Sequence, residues 1–205
     1  MLKRFTIKDF KCHEDYNTFE LPGLTFLTGT NNSGKSSVIQ SLFLLSQAAD
    51  HKDPILPFSD KNNYNLGTFE DIINKSKDSL KDSLYYELES ENVIFELDYK
   101  NPKIFDFSNN TDFGILSSIS IKSSETEKNY VLKKIENHEN MYWDNVNGIG
   151  TPISGVSVNP IYFDFLNVKK GSNFPEKELF KTLLSLSLPL QLKEIKYLRA
   201  YRQEA

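Results

Sequence analysis

Gly29, Gly34, Lys35 and Ser36 stand at the spacing G-x-x-x-x-G-K-S, with Thr30, Asn31, Asn32 and Ser33 between the glycines and Ser37 behind. Residues of these types at this spacing can hold a chain of phosphates. Gly29 lets the backbone turn sharply. Asn31 to Gly34 can wrap their N–H groups around a β-phosphate as an anion nest. Gly34 has no side chain, so the backbone can approach the phosphate. Lys35 offers a point charge to the β and γ oxygens. The Ser36 hydroxyl suits Mg²⁺. The expected nucleotide-binding set is therefore Gly29, Thr30, Asn31, Asn32, Ser33, Gly34, Lys35, Ser36 and Ser37, with Ser36 as the metal ligand.

Such a short pattern also arises by chance in Gly/Ser/Asn turns, so its setting decides. Leu24 to Leu27 is a continuous apolar run ending on Thr28 and Gly29, which predicts a buried central strand. After the loop, Val38, Ile39, Leu42, Leu45 and Ala49 repeat at helical spacing, and Phe43 and Leu44 widen the apolar face. The helix should end near Asp50, because Pro54 and Pro57 follow. Its positive end would face the same phosphates. Before the loop, Phe5 and Ile7, then Phe19 and Leu21, alternate with polar residues as half-buried strands do. Pro22 and Gly23 mark a turn.

Beyond the helix the chain is polar and Asn-rich, with one compact piece, NLGTFEDII (65–73). Then LYYELES, NVIFELDYK, ILSSISIKSS and NYVLKKIEN follow one another, rich in Val, Ile, Tyr and Phe and separated by polar turns. They predict antiparallel hairpins or a meander. Met141 to Gly155 reads as loop. Glu176 to Leu188 has helical spacing, and Ile195 to Tyr201 reads as a returning strand.

Composition narrows the function. The 205 residues are 39% hydrophobic and 25% charged, as in an ordinary soluble globular protein. The net charge of -4 offers no overall basic field to attract nucleic acid. Cys12 stands alone, which excludes an internal disulfide framework and fits a reducing cytoplasm. No apolar run approaches the roughly 20 residues of a membrane span. The expectation is a cytoplasmic protein without membrane contact.

Other chemistry is sparse. His13, His51 and His138 have no metal-ligand spacing and read as surface residues. Trp143 reads as a core or loop anchor, and Glu125 to Glu127 as a solvated turn. Hydrolysis of a nucleoside triphosphate needs a strand ending in an Asp for Mg²⁺ and usually a Glu to activate water. Asp164 in IYFDF, Glu96 in VIFEL and Asp106 in IFDF are the nearest matches, and none is followed by a second acid. The catalytic residues therefore stay unassigned. Arg4, Arg199 and Arg202 are the only arginines. The last two share one segment and suit either phosphate or partner contact or a surface ion pair.

The order of strand, strand, turn, strand and GTNNSGKSS resembles the opening of ABC-type ATPases of the SMC, RecF and OLD kind. Asp9-Phe10-Lys11 matches their "nFK" strand, and Asn31 and Ser33 match their G-x-N-x-S-G-K-S loop. SSVIQSLFLLSQ, NLGTFEDII and YLRAYR resemble AAA-family ATPases related to OLD nucleases and to Septu and retron-associated antiphage ATPases. The specific part covers roughly the first 75 residues and the last ten. The resemblance implies an α/β fold: a P-loop NTPase lobe, ABC-ATPase-like, with an attached antiparallel β subdomain. It implies ATP and Mg²⁺ as ligands, with Lys11, Cys12 and His13 near the nucleotide; the residues alone also allow Lys11 to be a surface lysine at the end of a strand. A second ATPase head, as a homodimer when complete, and a nuclease or other effector are the implied partners, with DNA reached only indirectly.

The expected layout is a single partial ATPase head over 1–205. Residues 1–50 hold the strands, phosphate loop and first helix, and 51–80 a connecting loop. Residues 81–165 are β-rich, and 166–205 hold a helical part and the returning strand. The signature motif is missing; Ile153-Ser154-Gly155 is only a partial match. Either the chain is a fragment, or it is a naturally short product, or another polypeptide supplies the rest. A small P-loop kinase and a non-catalytic ATP-binding regulator are the alternatives. The kinase is disfavoured by the two strands before the loop and by having three arginines.

Overall fold

The computed structural model describes residues 2–51, 55–59, 64–75, 82–91, 93–105, 111–123, 129–134, 142–144 and 151–153. The expected helix 176–188 and returning strand 195–201 lie outside these residues, as do His138, Asp106, Asp164, Arg199, Arg202 and the 125–127 turn.

The two expected strands, β1 (Arg4–Lys8) and β2 (Asn17–Glu20), pair antiparallel, with Phe5 opposite Phe19. Helix α1 runs over Lys35–Asp50, as its apolar spacing requires. It buries Val38, Leu44, Leu45, Ala48 and Ala49 and leaves Ile39 largely exposed. After a short strand β3 (Ile55–Pro57), the piece around NLGTFEDII folds into a single helical turn, α2 (Phe69–Ile72). The Asp71 carboxylate accepts bonds from the Thr68 backbone N–H and hydroxyl and so closes the start of α2. Gly67 precedes it at φ +92°, where a Cβ would lie 2.5 Å from that carboxylate.

The four β-rich runs become β4 (Ser83–Glu89), β5 (Val93–Lys100), β6 (Phe113–Ser123) and β7 (Asn129–Lys134), paired antiparallel in sequence order. They are continuous with the N-terminal hairpin, because β4 also pairs with β1. The alternation in β4 and β5 puts Leu84, Tyr86 and Leu88 opposite Tyr99, Leu97 and Phe95 on one buried face. That face, α1 and α2 enclose the core, with Phe5, Ile7, Phe10, Leu56, Phe58, Phe69 and Ile72 between them.

Two expectations change. Met141 to Gly155 is not all loop: β8 (Tyr142–Asp144) and β9 (Thr151–Ile153) extend the sheet beyond β7, and Trp143 lies in β8. An open edge supplies a ladder whatever the local sequence texture, and that overrides weak strand propensity. Leu24 to Leu27 is not a buried central strand. It has no ladder among the described residues, and Leu24 and Phe26 are 74% and 78% exposed. An apolar run becomes a central strand only when strands flank it, and β2, the element before it, is a sheet edge.

A polar link ties α2 to the short 3₁₀ turn Pro102–Phe105. Glu70 accepts bonds from Lys103 Nζ (2.7 Å) and Asn101 Nδ2 (3.2 Å). Partial burial pushes the Glu70 carboxyl up, but the bonds from Lys103, its own backbone and Asn101, with the Lys103 charge, outweigh it and hold the carboxyl at about 2. A lowered value in the folded state makes the link stabilising above about pH 4.5 and lost as pH falls toward 2. The unfolding free energy from urea melts should therefore drop over that window by a modest amount, about 1 kcal/mol or less because both groups are solvent-screened. Lys103→Met should flatten that part of the pH profile.

Candidate functional site

The turn before α1 has left-handed geometry where the sequence places its glycines. Gly29 sits at φ +147°, Asn32 at +66° and Gly34 at +87°. Gly34 is the N-cap of α1, and its carbonyl accepts the Val38 N–H at 3.1 Å. The first N–H groups of α1 thus have no partner within the helix and point out of its N-terminal end. In front of them lies a cavity of about 620 Å³ lined by Asn31, Asn32, Ser33, Gly34, Lys35, Ser36 and Ser37, with Lys11 and Cys12 on the facing side.

Lys35 does not extend into solvent. Its Nζ donates to the carbonyls of Gly29 (2.8 Å) and Thr30 (2.5 Å) and to Ser33 Oγ (3.2 Å). One ammonium thereby gathers the loop's own oxygens around it. Gly29 and Thr30 do not line the cavity as described. They act through these carbonyls. Ser36 and Ser37 lie along the cavity on the first turn of the helix, and Cys12 Sγ contacts Ser37 Oγ at 3.8 Å.

The facing wall is the turn Asp9–His13, which follows β1. Asp9 (φ +59°) and Lys11 (φ +51°) are left-handed without being glycine. Each costs about 1 kcal/mol or more, and such strain persists only where surrounding contacts fix it. Phe10 and His13 exchange both backbone bonds, Phe10 N–H to the His13 carbonyl (3.0 Å) and His13 N–H to the Phe10 carbonyl (2.9 Å). Phe10 is fully buried. Lys11 is half-buried, and its Nζ donates to Gln40 Oε1 on α1 at 2.6 Å. Burial lowers its pKa, against a smaller opposing pull from Cys12.

His13 is not a surface residue. It is buried, its ring lies edge-on to Phe19, and its Nε2 is 3.4 Å from the Gly34 carbonyl. A Cβ added at Gly34 would meet Cys12 Sγ at 2.7 Å and His13 Nε2 at 2.9 Å. Gly34 is therefore required by the wall opposite as well as by any phosphate approaching its backbone. Sequence spacing could not show this, because the contact joins residues about twenty apart. His51 is exposed, as expected.

Glu96 lies elsewhere. It is on β5, opposite Glu87 on one side and Ser120 on the other, and it is ion-paired with Lys122. It is a sheet-face acid and does not line the cavity. Among the described residues the lining carries no carboxylate. No helix among them is long and apolar enough to cross a membrane.

Residues 1–187 match the family model described as AAA ATPase domain. That span includes the loop, the facing turn and the whole described sheet. No curated protein matches the chain.

Proposed function

The chain belongs to the AAA ATPase domain family, and on that premise we propose that it binds ATP with Mg²⁺ in the cavity before α1, through Gly29 to Ser37. The observation that carries this reading is the Lys35 ammonium held by the Gly29 and Thr30 carbonyls beside a ring of left-handed residues. A cation already seated in the loop can exchange carbonyl oxygens for the β and γ oxygens of a nucleotide. The helix-start amides take the remaining phosphate charge. Ser36, on the cavity wall, is the side chain we assign to Mg²⁺, which would offset phosphate charge there. Lys11 adds a second ammonium from the opposite wall, as the resemblance to the SMC, RecF and OLD ATPases implies.

The finer parts of the proposal rest on that resemblance. They are an ABC-type head, the division of the chain at 50, 80 and 165, and a second head that completes the site. A role in a DNA-repair-like or antiphage assembly with a nuclease or effector, and a cytoplasmic location, rest on it too. The nearest sequence matches to a catalytic acid strand, at Glu96, Asp106 and Asp164, are none of them followed by a second acid, which favours a site that holds ATP but turns it over little by itself. The expected result is phosphate release by this chain alone at the level of its Lys35→Ala variant, alongside measurable ATP-Mg²⁺ binding. Release well above that control would place the hydrolytic acid inside this chain. The non-catalytic regulator remains the second reading for the same reason; adding a partner head separates the two, because only an ATPase head would then release phosphate.

A further inference from the structure

The strained turn that carries Lys11 is fastened from outside the phosphate loop. Asn74, just after α2, donates from Nδ2 to the Lys11 carbonyl at 2.5 Å, and its backbone N–H donates to the Asp9 carbonyl at 2.9 Å. The Lys11 N–H donates to the Ile72 carbonyl at 2.6 Å, and Phe10 forms a bridge with Ile73. These bonds grip the two left-handed residues, Asp9 and Lys11, from one side. The Asn74 side chain makes the only side-chain bond among them. Backbone bonds can be made by any residue, but a side-chain amide donor at this carbonyl needs Asn or a close substitute.

We propose that Asn74 is a positioning residue for nucleotide binding, acting by holding Lys11 in the left-handed conformation that keeps this lining residue at the cavity, within reach of a bound phosphate. The inference rests on the ATP-binding reading above. Left-handed backbone in a residue with a full side chain relaxes unless it is tied down. With the Lys11 carbonyl released, the residue can turn to an ordinary conformation and carry its side chain off the wall. Gln40 holds the far end of that side chain, but it does not fix the backbone. Asn74 does not itself line the cavity, so its effect must pass through Lys11.

The test is a double-mutant cycle on the affinity for a fluorescent ATP analogue with Mg²⁺, using wild type, Asn74→Ala, Lys11→Ala and the double variant, with thermal midpoints recorded in parallel. Asn74→Ala should weaken binding about 5- to 10-fold, the loss of one charge's placement. It should weaken binding no further once Lys11 is already Ala. Equal losses in both backgrounds, or no loss in the first, would overturn the proposal. If Asn74→Ala does not fold, Asn74→Asp, which keeps the size but cannot donate to a carbonyl, takes its place with the same expected pattern. Lys11→Gly adds an opposite-sign readout: relief of left-handed strain should hold or raise the thermal midpoint while affinity falls. A lower midpoint for Lys11→Gly would count against the strain being released. If wild type and Lys35→Ala bind the analogue equally, the ATP-binding reading itself fails, and that outcome is distinct from an additive cycle.

Discussion

Lys35→Ala should lose ATP binding almost completely while leaving the fold intact. The ammonium is the loop's one fully committed cation, and it bonds only to the loop itself, at Gly29, Thr30 and Ser33. Hydrogen bonds to charged groups contribute about 1.5–3 kcal/mol each, so losing the contacts to two phosphate groups should cost roughly 100-fold or more in affinity. The cost to stability should stay near 1 kcal/mol, because the three bonds are at the surface and water can replace them. Fluorescence titration with an ATP analogue, with a urea melt of the same sample, separates the two effects. Unchanged affinity would show that Gly29 to Ser37 is a turn and not a phosphate loop.

Gly34→Ala should damage both stability and binding, for reasons on opposite sides of one residue. At φ +87° any Cβ is strained, by about 1–2 kcal/mol. The new methyl would also meet His13 Nε2 at 2.9 Å and Cys12 Sγ at 2.7 Å. Cys12 is exposed and can swing away, but His13 is buried against Phe19 and cannot. The total should reach about 2–4 kcal/mol of destabilisation, with binding lost even at temperatures where the variant stays folded. A second substitution, His13→Ala, should recover part of the stability but not the binding, because the strained φ and the distorted loop remain. Thermal midpoints of the single and double variants check this. No recovery would mean that His13 is not what the new methyl meets.

The loop was legible in the sequence because its chemistry is local. Glycine takes positive φ most readily, and Gly29 and Gly34 both stand where φ is positive, with Asn32 between them doing the same. Helix α1 was equally legible: apolar residues at helical spacing marked it, although Ile39 stays exposed, and Pro54 and Pro57 beyond it placed its end near Asp50. The β-rich texture of LYYELES and NVIFELDYK marked β4 and β5 as antiparallel strands, and their pairing puts Leu84, Tyr86 and Leu88 with Phe95, Leu97 and Tyr99 on one buried face.

What was not legible is non-local. His13 looks like any isolated histidine until β1 and β2 fold back and bring it against Gly34. Asn74 sits in a polar, Asn-rich stretch, and only the closure of α2 onto the end of β1 gives it a partner 63 residues away. Lys11 had one sequence signal, its place in an opening that resembles Phe-Lys strands of the SMC, RecF and OLD ATPases. Its left-handed backbone carries none. Leu24 to Leu27 misled because hydrophobicity reports a tendency to be buried, whereas burial requires a neighbouring strand.

The most direct test of the central claim is the crystal structure of this chain with Mg²⁺ and a non-hydrolysable ATP analogue. The account predicts phosphate density within bonding distance of the backbone N–H groups of residues 32–36, with the Lys35 ammonium moved off the Gly29 and Thr30 carbonyls onto phosphate oxygens. Nucleotide bound away from the loop, or Lys35 still on those carbonyls beside a bound analogue, would contradict it.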